Sequence, residues 1–153
     1  MSIKNDNKIT IAVATDHGGV ELKDLLCKEL MNGGYDVQDL GVQIGETAQY
    51  PLQAALVAKA ILEGRAERGL LVCGSGIGIS IAANRFNGIR AALCRDEYDA
   101  RMSRMHNDAN VLVLGGRTTG VEVAKGILEV WLKTDFEGGR HVARVEMIDK
   151  INN

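Results

Sequence analysis

Five short apolar or β-branched runs recur along the chain, and each ends at a glycine or a charged residue where the backbone can turn. They read ITIAVATD ending at Asp16, YDVQDLG at Gly41, RGLLVCG at Gly74, IRAALCR at Arg95 and NVLVLGG at Gly116. Stretches of helical period separate them, and this alternation is the signature of βαβ units around a parallel sheet. The first run and the last three are nearly all apolar, as strands covered on both faces must be. Leu22, Leu25, Leu26 and Leu30 recur at helical spacing, and Val121, Ala124, Ile127, Leu128 and Trp131 do the same later, so each set predicts a helix with one buried stripe. Val142, Val145, Ile148 and Ile151 keep that register in a final segment, residues 138–153, which predicts a C-terminal helix. No internal repeat or linker interrupts the pattern. The 153 residues are one domain's length, enough to bury close to 70% of the surface the unfolded chain exposes. The expectation is a single three-layer α/β domain over residues 1–153, with a five-stranded parallel sheet, an extra C-terminal helix and a flexible polar start at residues 1–7.

Charge and composition narrow the function classes. A formal net charge of -2 supplies no basic field for nucleic acid. The polar start MSIKNDNK has no apolar leader core, and no stretch approaches the roughly 18 apolar residues of a membrane span. Three cysteines, an odd number without framework spacing, fit free thiols in a reducing compartment. A cytoplasmic protein acting on small molecules is expected, with neither nucleic acid nor membrane as partner.

Ligands of open parallel sheets bind beyond the carboxyl ends of the strands. That rule selects Asp16-His17-Gly18-Gly19, Cys73 to Gly78, and Gly115-Gly116-Arg117. Gly74, Gly76 and Gly78 separate a strand from a helix starting near Ile77, where backbone N–H groups can converge on a phosphate, a carboxylate or a developing oxyanion. A tight turn would use glycine as well, and a dinucleotide fingerprint fails because Ile79 stands where its last glycine belongs. Cys73 at the mouth of this loop is the informative residue. Amides and a helix N-terminus favour its thiolate, which can then serve as base or nucleophile. Cys27 among helix leucines and Cys94 at a strand end read as small buried hydrophobes. His17, His106 and His141 fall beside other polar residues, but no two histidines share ligand spacing and no C-x-x-C occurs, so no metal is expected. Arg140 and Arg144 stand one helical turn apart and suit phosphate recognition. A thiol base, an oxyanion loop and phosphate-binding groups together suit acid–base isomerisation of a sugar phosphate.

The motifs TDHGG, YP at Tyr50-Pro51, CGSGIGISIAANR, GIRAAL, HNDANVLVLGGR and EGGRHVARV extend across Ile9 to Ile151, and together they resemble the type B ribose-5-phosphate isomerase family, with its galactose- and allose-phosphate isomerases. The resemblance implies a Rossmann-like fold and an aldose–ketose isomerase with no cofactor. It also implies a homodimer or dimer of dimers, and the C-terminal helix after Gly139 is expected to contribute to that pairing. By the same resemblance, Cys73 is the base that moves the proton between C1 and C2, and Ser75 assists proton movement between the oxygens. The amides of Gly74, Gly76, Ile77 and Gly78 hold the enediolate, and His106 opens the sugar ring. Asp16 and Asn107 hold hydroxyls, and His17, Arg117, Arg140 and Arg144 hold the phosphate. Ser75 stands where the pentose enzymes commonly carry threonine, and Gln49 where an acidic residue often precedes the Tyr-Pro pair, so tetrose or hexose phosphates are alternatives to ribose 5-phosphate. A non-catalytic nucleotide-binding α/β module is the reading from a different class. His106 ends a helix that leads into a strand, whereas Cys73 ends one. A strand of about six residues separates those edges by some 20 Å, so the active site is expected to be shared between subunits.

Overall fold

Each of the five runs forms a strand: β1 (Thr10–Thr15), β2 (Asp36–Asp39), β3 (Arg68–Cys73), β4 (Ala91–Leu93) and β5 (Val111–Gly115). The structure, a computed structural model, describes residues 8–152; the expected flexible residues 1–7 lie outside this range. The helices are α1 (Val20–Asn32), α2 (Tyr50–Leu62), α3 (Ile77–Ala83), α4 (Glu97–Met105), α5 (Val121–Lys133) and α6 (His141–Asp149). All strand pairs are parallel and the order is β2-β1-β3-β5-β4. Helical crossovers make this possible, since parallel neighbours cannot be joined by a tight hairpin.

The strands' alternation divides the core. Ile11, Val13, Leu70, Val72, Leu112 and Leu114 point to one side, against Leu22, Leu26, Leu30, Ile127 and Trp131 of α1 and α5. Ala12, Ala14, Leu71, Val111 and Val113 point to the other, against Ala54, Val57 and Ala58 of α2 and Ile79 of α3. The result is the expected three-layer Rossmann-like sandwich. Two residues of the predicted stripes fall outside it. Leu25 is 36% and Val121 40% exposed, because Leu25 lies at the margin of the α1 stripe and Val121 opens α5 before that helix settles on the sheet. The C-terminal helix is present, but it buries mainly Val145 and His141 and leaves Val142, Ile148 and Ile151 exposed.

Successive strands are added to opposite sides of β1, so the chain diverges between the carboxyl ends of β1 and β3. Crevices form at such a switch point. Here the loops after β1, β3 and β5 meet: a Cβ on Gly18 would lie 2.9 Å from the Gly74 nitrogen, and Gly116 and Arg117 donate their N–H groups to the carbonyls of Cys73 (2.7 Å) and Gly74 (2.9 Å).

Candidate active site

The loop after β3 turns on Gly76, whose φ of +80° and close approach to Leu93 and to the Leu114 backbone exclude a side chain. This turn folds the chain back, so that the Gly76 N–H donates to Cys73 Sγ at 3.2 Å. The Ile77 N–H donates to Ser75 Oγ at 3.2 Å, which leaves the hydroxyl proton available to a ligand. Cys27 and Cys94 sit in the core, where burial pushes their thiols up to about 11 and about 12. Neither is a base near neutral pH.

Cys73 opens onto a cleft of about 400 Å³ lined also by Asp16, Tyr50, Gly74, Ser75, Gly78, Arg117 and Thr118. Asp16 is buried, and its Oδ1 accepts the Gly18 N–H at 2.8 Å. An adjoining cleft of about 440 Å³ carries His17 and the start of α1, and Arg117 lines both. Tyr50 and Thr118, which carry no role in the sequence motifs, also line the Cys73 cleft. The Tyr50 ring lies over Gly78, whose absent Cβ would fall 2.8 Å from Cζ; the Tyr-Pro pair at the start of α2 was the available signal.

The other end of the sheet holds a second group. His106 caps the C-terminus of α4 and stacks on His141, with ring centroids 4.3 Å apart and planes 14° from parallel. Its Nε2 lies 3.9 Å from Glu137 Oε2, and Glu137 is tied to α4 by its N–H donating to the Met105 carbonyl at 3.0 Å. His141 is buried and its Nε2 has no hydrogen-bond partner. Burial, then the neighbouring Arg140 and His106, hold its pKa below the ordinary histidine value. Asn107, Arg140 and Arg144 are exposed beside this group.

Spacing along the chain argued against any histidine cluster, yet folding brings His106, Glu137 and His141 together, with potential ligand atoms within 4.8 Å of one another. The two rings face each other, so their in-plane lone pairs run side by side and do not converge on one point. Glu137 is also engaged by Arg140 at 3.5 Å. This is the geometry of a stacked imidazole pair beside a carboxylate. It is not that of a coordination sphere.

The expected site residues therefore divide. Asp16, His17, Cys73, Gly74, Ser75, Gly76, Ile77, Gly78 and Arg117 gather at the carboxyl edge; His106, Asn107, Arg140 and Arg144 gather at the amino edge. The β3–β5 register pairs Cys73 with Gly115, whereas His106 precedes the start of β5 at Val111. At about 3.3 Å per residue, the two groups lie roughly 15–20 Å apart.

Comparison with known proteins agrees with this architecture. A family model described as Ribose/Galactose Isomerase matches residues 11–148. Ribose-5-phosphate isomerase B of Escherichia coli (strain K12) is 48% identical over 141 residues, which is 92% of this chain and 95% of that protein. D-erythrulose-4-phosphate isomerase of Pectobacterium atrosepticum is 43% identical over 141 residues, 92% of this chain and 93% of that one. The solved structure of Clostridium thermocellum ribose-5-phosphate isomerase B matches with a TM-score of 0.91 at 48% identity, covering 94% of this chain and 97% of that one. Fold and relatives together define a sugar-phosphate isomerase of the aldose–ketose class. The chain belongs to the Ribose/Galactose Isomerase family.

Proposed function

We propose that this enzyme interconverts ribose 5-phosphate and ribulose 5-phosphate through an enediolate, at an active site built from two copies of the chain. The observation that carries the chemistry is Cys73 Sγ accepting the Gly76 N–H at the mouth of a glycine loop, in a cleft that also holds Ser75 and Arg117. His106 protonates the ring oxygen while the C1 hydroxyl gives its proton to water, so that the bond from C1 to the ring oxygen breaks and the sugar opens to its aldehyde. Cys73 then removes the C2 proton, and the negative charge moves onto oxygen. Amides of residues 74–78 hold the enediolate, and stabilising charge where it develops is commonly the largest catalytic contribution. The Ser75 hydroxyl carries a proton between the two oxygens, and Cys73 returns its proton to C1. Asp16 and Asn107 hold hydroxyls. The phosphate lies between His17 and Arg117 of one copy and Arg140 and Arg144 of the other.

The division of the site residues between opposite sheet edges supports the sharing, because a two-fold pair can set the amino edge of one copy against the carboxyl edge of the next. The mutually packed α2 and α3 leave Leu52, Leu56, Ile77 and Ile81 exposed beside the Cys73 loop, an apolar surface suited to a partner copy. Isomerisation assays across tetrose, pentose and hexose phosphates test the substrate. The expected result is a kcat/KM for ribose 5-phosphate at least about tenfold above the others, the scale on which a pocket discriminates by one carbon. A higher value for a tetrose or hexose phosphate would replace the substrate. Binding of NAD or ATP without turnover of any sugar phosphate would replace the function.

A further inference from the structure

Asp108 is the one non-glycine residue with positive φ, +45°, among the described residues. It follows His106 and Asn107 directly, so its backbone sets the course of that turn. Its carboxylate is held by two arginines: Oδ1 accepts from Arg104 Nη1 at 2.9 Å, and Oδ2 lies 3.5 Å from Arg90 Nη2. Arg90 Nε also donates to the Asp108 carbonyl at 3.1 Å, so it holds this residue by both side chain and backbone. The arginines reach further. Arg104, almost fully buried, donates to the Ala109 carbonyl at 2.7 Å and the Thr134 carbonyl at 3.2 Å, linking the turn to the segment that leads to Glu137. Arg90 Nη1 reaches both carboxylate oxygens of Asp149, at 3.0 and 2.9 Å, and so ties down the far end of α6.

Two arginines thus join the three pieces that form the amino-edge group: the His106–Asn107 turn, the segment leading to Glu137, and the helix whose start carries Arg140, His141 and Arg144. A carboxylate at the junction satisfies both guanidinium groups, whose side chains are 16% and 6% exposed. We propose that Asp108 is a positioning residue, whose carboxylate, held by Arg90 and Arg104, orients His106 against His141 and sets α6 relative to the His106 turn. The inference rests on the reading of His106 as the ring-opening acid, so its test includes a measurement that does not depend on turnover.

The experiment uses the full chain with Asp108→Gly and Asp108→Asn. Glycine keeps the left-handed backbone and deletes the carboxylate; asparagine keeps the shape and tolerates that backbone but removes the charge. With ribose 5-phosphate, both are expected to lower kcat about 10–100-fold, the scale of a misplaced catalytic group, with KM changed by less than about threefold. In the same variants without substrate, the imidazole NMR resonances of His106 and His141 should shift as the stack is lost. The resonances decide the proposal: unchanged shifts in Asp108→Gly overturn it. If Asp108→Gly does not fold, Asp108→Asn gives the same reading, and Arg90→Lys, which keeps the charge but loses the fork, should move the resonances in the same direction. Shifted resonances with a wild-type rate would leave the positioning intact and count against His106 as the acid, as would an active His106→Asn enzyme.

Discussion

Three cysteines of similar burial differ in what surrounds the sulfur. Cys27 and Cys94 lie in the core, where a charged sulfur has no solvent and burial raises their pKa to about 11 and about 12. Cys73 is also buried, 5% exposed, but its sulfur receives an amide and faces a cleft. At pH 7.5, limited treatment with a thiol alkylator should therefore modify Cys73 first, with loss of isomerisation, and a bound substrate analogue should slow both. Mass spectrometry of the single adduct checks this, and first modification at Cys27 or Cys94 in the folded protein would contradict it. Cys73→Ala should lose about 10³-fold or more in kcat, as expected for the group that takes the proton. Cys27→Ala and Cys94→Ala should keep the rate within about twofold while costing about 1–2 kcal/mol of stability from the small cavities they leave.

At the scale of elements, two polar groups buried by packing make measurable claims. The Lys23 side chain is fully enclosed, and its Nζ joins α1 to β2 through Asp39 at 2.7 Å and to Asp24 at 2.6 Å. Burial by itself would lower its pKa, but the hydrogen bonds and charges of Asp24 and Asp39 outweigh it and the pKa is raised. Lys23→Ala leaves the two carboxylates without their cation, and about 2–3 kcal/mol of destabilisation is expected, somewhat less than for breaking a fully buried ion pair because the carboxylates are partly exposed. A denaturant midpoint lowered at unchanged m would register it; no change would mean that the pair contributes nothing net. His141 makes the opposite case. Its folded pKa lies below the unfolded value of about 6.5, so its contribution is fully present above that pH. As the pH falls through about 6.5 toward the folded value, the unfolded chain takes up the proton first and stability is lost. The Tm should drop between pH 7.5 and 5.5, and less steeply in His141→Asn; equal slopes would assign the loss to other groups. The sequence shows clearly why the elements form and much less clearly how the amino-edge group assembles. Periodicity along β1, β3 and β5 defines strands buried on both faces, and Gly76 beside Cys73 marks a loop with a chemical purpose. The meeting of His106 with His141 depends on how the segment after α5 returns across the end of α4, and Asp108 owes its role to arginines from β4's approach and α4. Arg104 and Asp108 stand four residues apart, a spacing the sequence shows, but no local spacing encodes the reach of Arg90 to Asp108 or the meeting of His106 with His141.

At the scale of the whole molecule, the proposed reaction has to draw on residues at both ends of the sheet. Cys73 ends β3, and its register partner is Gly115 at the carboxyl end of β5; His106 lies beyond the other end, before Val111. Strand length fixes this separation, and side-chain rotation cannot close it. A monomer should therefore hold two half-sites, and a two-fold pair should complete two sites at once. Unfolding and refolding inactive Cys73→Ala together with inactive His106→Asn tests this. If the two residues serve one site from different copies, each heterodimer contains one site with both lesions and one intact site. Random pairing makes about half of the dimers heterodimers, so the mixture should recover roughly a quarter of the wild-type activity, while each variant refolded alone stays inactive. If both residues serve a site within one copy, every site in the mixture carries a lesion and no activity returns. Native mass spectrometry that shows heterodimers in an inactive mixture would then refute the shared site. Dilution gives an independent reading: activity per chain should fall at concentrations where the pair dissociates, and it should return on reconcentration.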